Sequence, residues 1–437
     1  MALSQRSRLV VPLALMGVAG IALAGCGAPG GAPSTGGGGD DATVTIYGTI
    51  VDSEAELLQE SWKDWADENG ITIKYEGSQD FETQLGTRAQ GGNPPDIAIF
   101  PQPGLFADFA DRGFLKPAPE EVEKNANEYW TEDWVNYGTV GDTFYGAPLM
   151  ANVKGWIWYS PAKFAEWGVE VPKTLDEMTA LTEKIQAATG TPAWCAGFES
   201  GTATGWPGTD WIEDYVLRQS GPDVYDQWVT NDVKFTDPQI KQAFDSVGQI
   251  LLNPANVNAG FGDVRSINST AFGDVAPKLA AGECALTHQA SFLSGFFPEG
   301  TNIAEDGDVW AFMLPGESEG DTAVTGAGEI VGAFSESEAT QKVLAYLSSP
   351  EWANSRVSLG GVTSANNGLD PANAKDPILQ ETIKILQDPE TTFRFDASDL
   401  MPGAVGAGTF WKGMVAWVNG TSTDEVLTQI ETGWPSS

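Results

Sequence analysis

"ATVTIYGTIVDSEAELLQESWKDWADENGITIKYEG", residues 42–77, decides how this chain folds. Apolar residues alternate through "ATVTIYGTI", the period of a half-buried strand. Ser53 and Glu56 stand at the spacing of a capping box opening the helix "EAELLQESWKDWADENG", and Gly70 ends it before the strand "ITIKYEG". Working outward, "DFETQLGTRAQGG" reads as a helix, "PPDIAIF" as a buried strand and "GLFADFADRGFL" as another helix. Regular alternation of this kind predicts a mostly parallel sheet covered by helices, with ligands held beyond the carboxyl ends of the strands. The places to search are therefore Gly48 and Thr49, Glu76 to Asp80, and Pro101 to Gly104.

From about residue 152 a second unit begins. "VKGWIWYS" is a strand, helices start at Pro161 and Thr174, and Glu177 completes a second capping box. The strand "AWCAGF" leads into "GFESGTATGWPGTDWIEDYVLRQ", which crowds Trp206 and Trp211 around a bend ahead of a helix. "TDPQIKQAFDSVGQILL" is helical, "CALTHQASF" follows, and "DVWAFMLPG" and "EIVGAFS" read as strands. The remainder is largely helical, without an internal repeat. A chain of 437 residues exceeds what one hydrophobic core usually serves, so two lobes are expected.

With 41% apolar and 19% charged residues the composition is globular. Lys and Arg number 23 against 60 Asp and Glu, a net charge of −37 that sets nucleic acid and anionic membrane surfaces aside as partners but not a neutral solute. Arg6 and Arg8, the apolar run "LVVPLALMGVAGIALAG" and the sequence Leu23-Ala24-Gly25-Cys26 mark residues 1–25 as a signal peptide with a lipoprotein cleavage site. Cys26 would carry the lipid and residues 26–42 form a flexible tether. That places the protein on the extracellular face of the cell membrane, touching it only through the lipid anchor. In an oxidising compartment the remaining pair, Cys195 and Cys284, reads as a disulfide. His288 is the sole histidine, so no Cys/His zinc site can be assembled, and neither metal nor cofactor is expected.

Gly326, Gly328 and Gly332 in "GAGEIVGAF" loosely imitate a dinucleotide fingerprint, but "EIVGAF" reads as a strand where a helix must open, so they are read as a flexible passage between lobes. A Ser/His/Asp site would need His288, and "THQAS" has no nucleophile turn. A carboxylate pair for glycoside hydrolysis is always available among 60 acids, most of them a solvated face. Aromatic-plus-polar recognition remains. Trp206 and Trp411, with Trp156, Trp158 and Trp211, lie in turns or near strand ends, where a ring can face a sugar or plug a core. Asp210 reads equally as a first-turn acid and as a ligand contact. In the loop "TTFRFDASDLMPGAVG", Arg394, Asp396 and Asp399 form either an ion pair or a clamp for hydroxyls.

The motifs "PPDIAIFPQPG", "ESGTATGWPGTDWIED", "FGDVAPKLAAGECALTHQASF", "TTFRFDASDLMPGAVG" and "GTFWKGMVAWV" together resemble the extracellular solute-binding proteins of carbohydrate ABC importers, of the maltose-binding class and its α-glucoside-binding branch. The resemblance implies an α/β, two-lobed periplasmic-binding-protein-like fold, each lobe a mostly parallel sheet flanked by helices. It implies lobes of residues 43–152 with 329–362 and 153–328 with 363–437. Three crossover hinges would lie near Ala151 to Gly155, Ala327 to Gly332 and Gly361 to Ser364. It further implies a monomer that binds an α-linked di- or oligosaccharide such as maltose, sucrose or trehalose and passes it to membrane permease subunits without breaking a bond. Trp206 and Trp411 would stack on sugar rings, with Trp211 in support. Glu76, Asp80, Gln102, Asp210, His288, Glu329, Arg394, Asp396 and Asp399 would bind hydroxyls. Phe292 stands where relatives often carry a tryptophan, and Lys154 near a position often acidic there. The rival readings are an extracellular glycosidase and a polysaccharide-adhesion module.

Overall fold

The structure, a computed structural model, describes residues 42–258, 261–321 and 323–435. The signal peptide, Cys26 and all of the tether except Ala42 lie outside them. Strand β1 (Ala42–Gly48) buries Val44, Ile46 and Tyr47; helix α1 (Asp52–Asn69) lays Leu58 and Trp62 against the same core. Strand β2 (Ile71–Gly77) returns parallel to β1, and α2 (Phe81–Gln90) leads to β3 (Ile97–Phe100), buried throughout and also parallel to β1. After α3 (Pro103–Asp111) come β4 (Gly146–Val153) and β5 (Trp156–Tyr159). Helices α4 (Leu175–Thr189) and α5 (Trp206–Ser220) precede β6 (Leu286–Gln289), β7 (Trp310–Met313) and β8 (Val324–Ala333). Helix α6 (Pro350–Ser358), β9 (Phe393–Phe395) and α7 (Trp411–Val418) follow.

Two sheets organise these elements. The first is six-stranded, and β8 is its spine: β4 runs antiparallel along one edge, while β3, antiparallel, and β9, parallel, share the other. The second is three-stranded, with β6 and β7 both antiparallel to the central β5. The α/β class is as expected. The first sheet is mixed, with three of its five pairings parallel, and β8 runs antiparallel to β3 and β4 because it enters straight from the second sheet rather than over a helical crossover; the second sheet departs from the expectation, being antiparallel throughout. A helical layer built on α4, α5 and α7 packs Trp211, Trp228 and Trp417 into a core against the second sheet.

Several local expectations are also revised. Helix α1 starts at Asp52, one residue before Ser53, with Val51 as its N-cap and no side-chain cap, so the first capping box does not form. The second forms in part: Thr174 Oγ1 accepts from the Glu177 N–H at 3.2 Å, while the Glu177 carboxylate accepts from the N–H of Lys173 at 2.7 Å rather than from that of Thr174. "AWCAGF" is not a strand. Trp194 makes only isolated bridges to Val257 and Leu286, and Cys195 is joined to Cys284 in a disulfide with Cα atoms 5.8 Å apart. The glycines of "GAGEIVGAF" lie inside β8, where backbone closeness requires them. A Cβ on Gly328 would come within 2.4 Å of the Met150 carbonyl oxygen, and one on Gly326 within 2.4 Å of that of Asn152. The three segments read as crossovers meet side by side, since Ala151 pairs with Gly328 and its N–H donates to the Thr363 carbonyl at 3.0 Å. Among the described residues no helix is long and apolar enough to cross a membrane.

Candidate functional site

A cavity of about 570 Å³ opens where the carboxyl ends of β1 and β3 face α5 and the segments around residues 272, 292 and 396. Trp206 is the first residue of α5 rather than a residue ahead of it. Its N-cap, Gly205, has φ +118° and abuts the Trp411 backbone, where a Cβ would sit 2.3 Å from the carbonyl oxygen. That close approach brings Trp206 and Trp411 to one cavity wall. Phe272 and Phe292 pack against Trp206 with ring centroids 5.1 and 6.1 Å away.

Asp210 lies beyond the first turn of α5, which carries no acid, so a dipole role gives way to an ion pair. The buried Lys154 ammonium is 2.7 Å from Asp210 Oδ2 and 2.8 Å from Asp396 Oδ2, and 4.7 Å from the centre of the Trp206 ring. Burial alone would lower the lysine pKa, but Asp210, Asp396 and Asp399 more than reverse this and hold it up. One ammonium cannot neutralise all the acids around it. Burial pushes Asp210 up to about 7 against the pull of Lys154, and also raises Asp396, Asp399 and Glu213, whose mutual repulsion adds to the effect. Asp210, Glu213 and Asp396 have a geometry that could hold a metal ion, but the Lys154 ammonium already lies against two of them. Gln102 reaches the cavity from the first sheet and donates to Glu82 at 3.1 Å. Its Oε1, Asp396 Oδ1, Asn152 Oδ1 and Trp411 Nε1 are buried without partners, a set of unused acceptors and a donor along the cavity wall. Glu329 and Glu54 also line it. Burial and the neighbouring Glu54 push Glu329 up to about 8, with Arg356 opposing.

The cavity thus gathers Gln102, Lys154, Trp206, Asp210, Phe292, Glu329, Asp396, Asp399 and Trp411. Five other sequence candidates lie elsewhere. Trp211 is core, tilted against His288 with ring centroids 4.4 Å apart and edge-on to Trp194 at 5.2 Å. The buried His288 Nε2 is 2.6 Å from Asp214 Oδ2, and that carboxylate also accepts from Thr325 Oγ1. Arg394 turns away to a bidentate pair with Asp226 at 2.6 and 2.9 Å, because β9 and a following short helix, not an open loop, fix residues 393–400. Glu76 pairs with Arg88 on the surface, which holds its carboxyl below the usual range, and Asp80 is exposed before α2. Sequence reasoning missed Glu54, Glu82, Glu213, Phe272 and Phe296. One signal was available: Asp210, Glu213 and Asp214 are spaced i, i+3, i+4, which sets three acids on one helix face.

Residues 52–354 match the bacterial extracellular solute-binding protein family, and the chain belongs to it. It is 38% identical over 411 residues to the osmoprotective compounds-binding protein GgtB of Synechocystis sp., across 92% of this chain and 95% of that one. It is 37% identical over 409 residues to the alpha-glucosides-binding periplasmic protein AglE of Rhizobium meliloti, across 90% and 87%. Among solved structures, the bacterial solute receptor AcbH, described as having an exclusive preference for β-D-galactopyranose, superposes with a TM-score of 0.77 at 16% identity, covering 90% of this chain and 98% of its own. That likeness establishes the two-lobed α/β fold.

Proposed function

We propose that this solute-binding protein is the substrate-binding component of a sugar ABC importer, and that its solute is an α-glucoside of di- or oligosaccharide size. The observation that carries the reading is the juxtaposition, in one cavity, of the rings of Trp206 and Trp411 with buried, unpartnered polar atoms on Gln102, Asp396 and Trp411. Flat apolar faces suit the C–H faces of a pyranose, and the unused acceptors suit its hydroxyls. The likeness to AglE, an alpha-glucosides-binding protein, supports the solute class. Residues 43–152 with 329–362 and residues 153–328 with 363–437 act as the two lobes. Sugar touching both shifts the population toward a closed form that the permease subunits read. The protein works as a monomer outside the cell membrane, held there through a lipid on Cys26.

Tryptophan-fluorescence titration, checked by calorimetry, against maltose, sucrose, trehalose, isomaltose and glucose tests the reading. Saturable binding of one α-linked disaccharide with no product formed is expected. Glucose release would turn the buried carboxylates into a glycosidase site, and silence with every sugar would reject the α-glucoside assignment.

A further inference from the structure

Trp206 marks a seam in the cavity. On one side its ring meets Lys154 and the acids around it; on the other it meets Phe272 and Phe292. The second side continues outward, with Phe272 and Phe292 packed against each other at 6.1 Å and Phe296 against both at 5.2 and 6.5 Å. Phe296 lines the cavity and is 41% exposed, which makes it one of two exposed large hydrophobic side chains among the described residues. Its place is built rather than incidental. Gly273 lets the ring lie flat, since a Cβ there would come within 2.4 Å of it. Asp274 and Ser291 line the cavity beside these rings, and the Ser291 Oγ is buried without a partner.

Phenylalanine offers area but no donor or acceptor, so a hydroxyl pressed against it would lose water and gain nothing in return. We infer that the cleft grips one α-glucosyl unit at its polar end and reads the aglycone on the wall of Phe272, Phe292 and Phe296, preferring α-glucosides whose aglycone is apolar. The inference rests on the α-glucoside reading and narrows it. Specificity then resides in one sugar ring, and the group attached to it need not be a sugar.

Calorimetric titration of the protein with methyl α-D-glucopyranoside, 4-nitrophenyl α-D-glucopyranoside and maltose decides the matter. The aryl glucoside is expected to bind roughly tenfold tighter than the methyl glucoside, from the apolar area it buries. In Phe296→Ala, at a position exposed enough to spare the fold, that ratio should fall to about threefold or less, and Phe296→Leu should retain most of it. Equal affinities for the two glucosides, or a ratio indifferent to Phe296→Ala, would overturn the inference while leaving maltose binding and the α-glucoside reading intact. Failure of all three probes to bind would remove that reading and the inference with it.

Discussion

Lys154 supplies one positive charge to a buried corner holding Asp210, Asp396 and Glu213, and it also faces the Trp206 ring. Removing a single partner from such a cluster leaves buried charge without compensation, a far larger loss than that of a surface pair. Lys154→Met is expected to cost about 3–5 kcal/mol in urea unfolding, with part of the loss regained when Asp210→Asn is added. Trp206→Ala, at a half-buried position, should leave the fold standing and weaken sugar binding by roughly 1–2 kcal/mol in calorimetry, if the ring stacks on a pyranose. Trp206, Asp396 and Trp411 were legible in the sequence because motif and chain position pointed the same way. His288 is a site candidate only through the resemblance, and Trp211 as a neighbour of Trp206. Their packing against Asp214 and Trp194 depends on contacts across elements that no local pattern encodes.

Among the elements, the alternation in the first hundred residues was enough to give β1, β2, β3 and the helices between them. Period and caps carry that information. They carry nothing about which way a strand runs beside a partner far along the chain, so the antiparallel second sheet and the spine β8 could not be read. The glycines of β8 show what decides such positions. Gly328→Ala would drive a methyl to 2.4 Å from the Met150 carbonyl oxygen and 2.9 Å from the Trp134 ring, and should destabilise by about 1–3 kcal/mol in denaturant unfolding. The Cys195–Cys284 link acts at the same scale, tying the stretch before α5 to the stretch before β6 across a separation of 89 residues. In the chain-entropy model closure of such a loop contributes about 4–5 kcal/mol. Scanning calorimetry of Cys195→Ser with Cys284→Ser should therefore give a midpoint several degrees below that of the parent.

For the molecule as a whole, pH is the lever, because acids outnumber bases by 60 to 23 and several are held in the cavity with their pKa values raised. Glu329 is the clearest. Burial and Glu54 move it from an ordinary value of 4.5 to about 8, so the folded state binds its proton more tightly than the unfolded state does. Stability falls with rising pH wherever the native state holds more protons. The contribution of Glu329 is thus fully present below about pH 4.5 and is lost progressively as pH climbs through about 8. General repulsion among surface carboxylates pulls the same way but is screened by salt, whereas a half-buried carboxyl lining a cavity is screened less. Urea unfolding at fixed, high ionic strength separates the two. The parent should lose stability from pH 5 to 8, and Glu329→Gln, which keeps the neutral shape at every pH, should lose less over the same interval. Parallel curves would mean that Glu329 titrates in the folded protein as it does in the unfolded chain. The decline would then belong to the remaining acids, Asp210 first among them, since its raised pKa of about 7 crosses the same window.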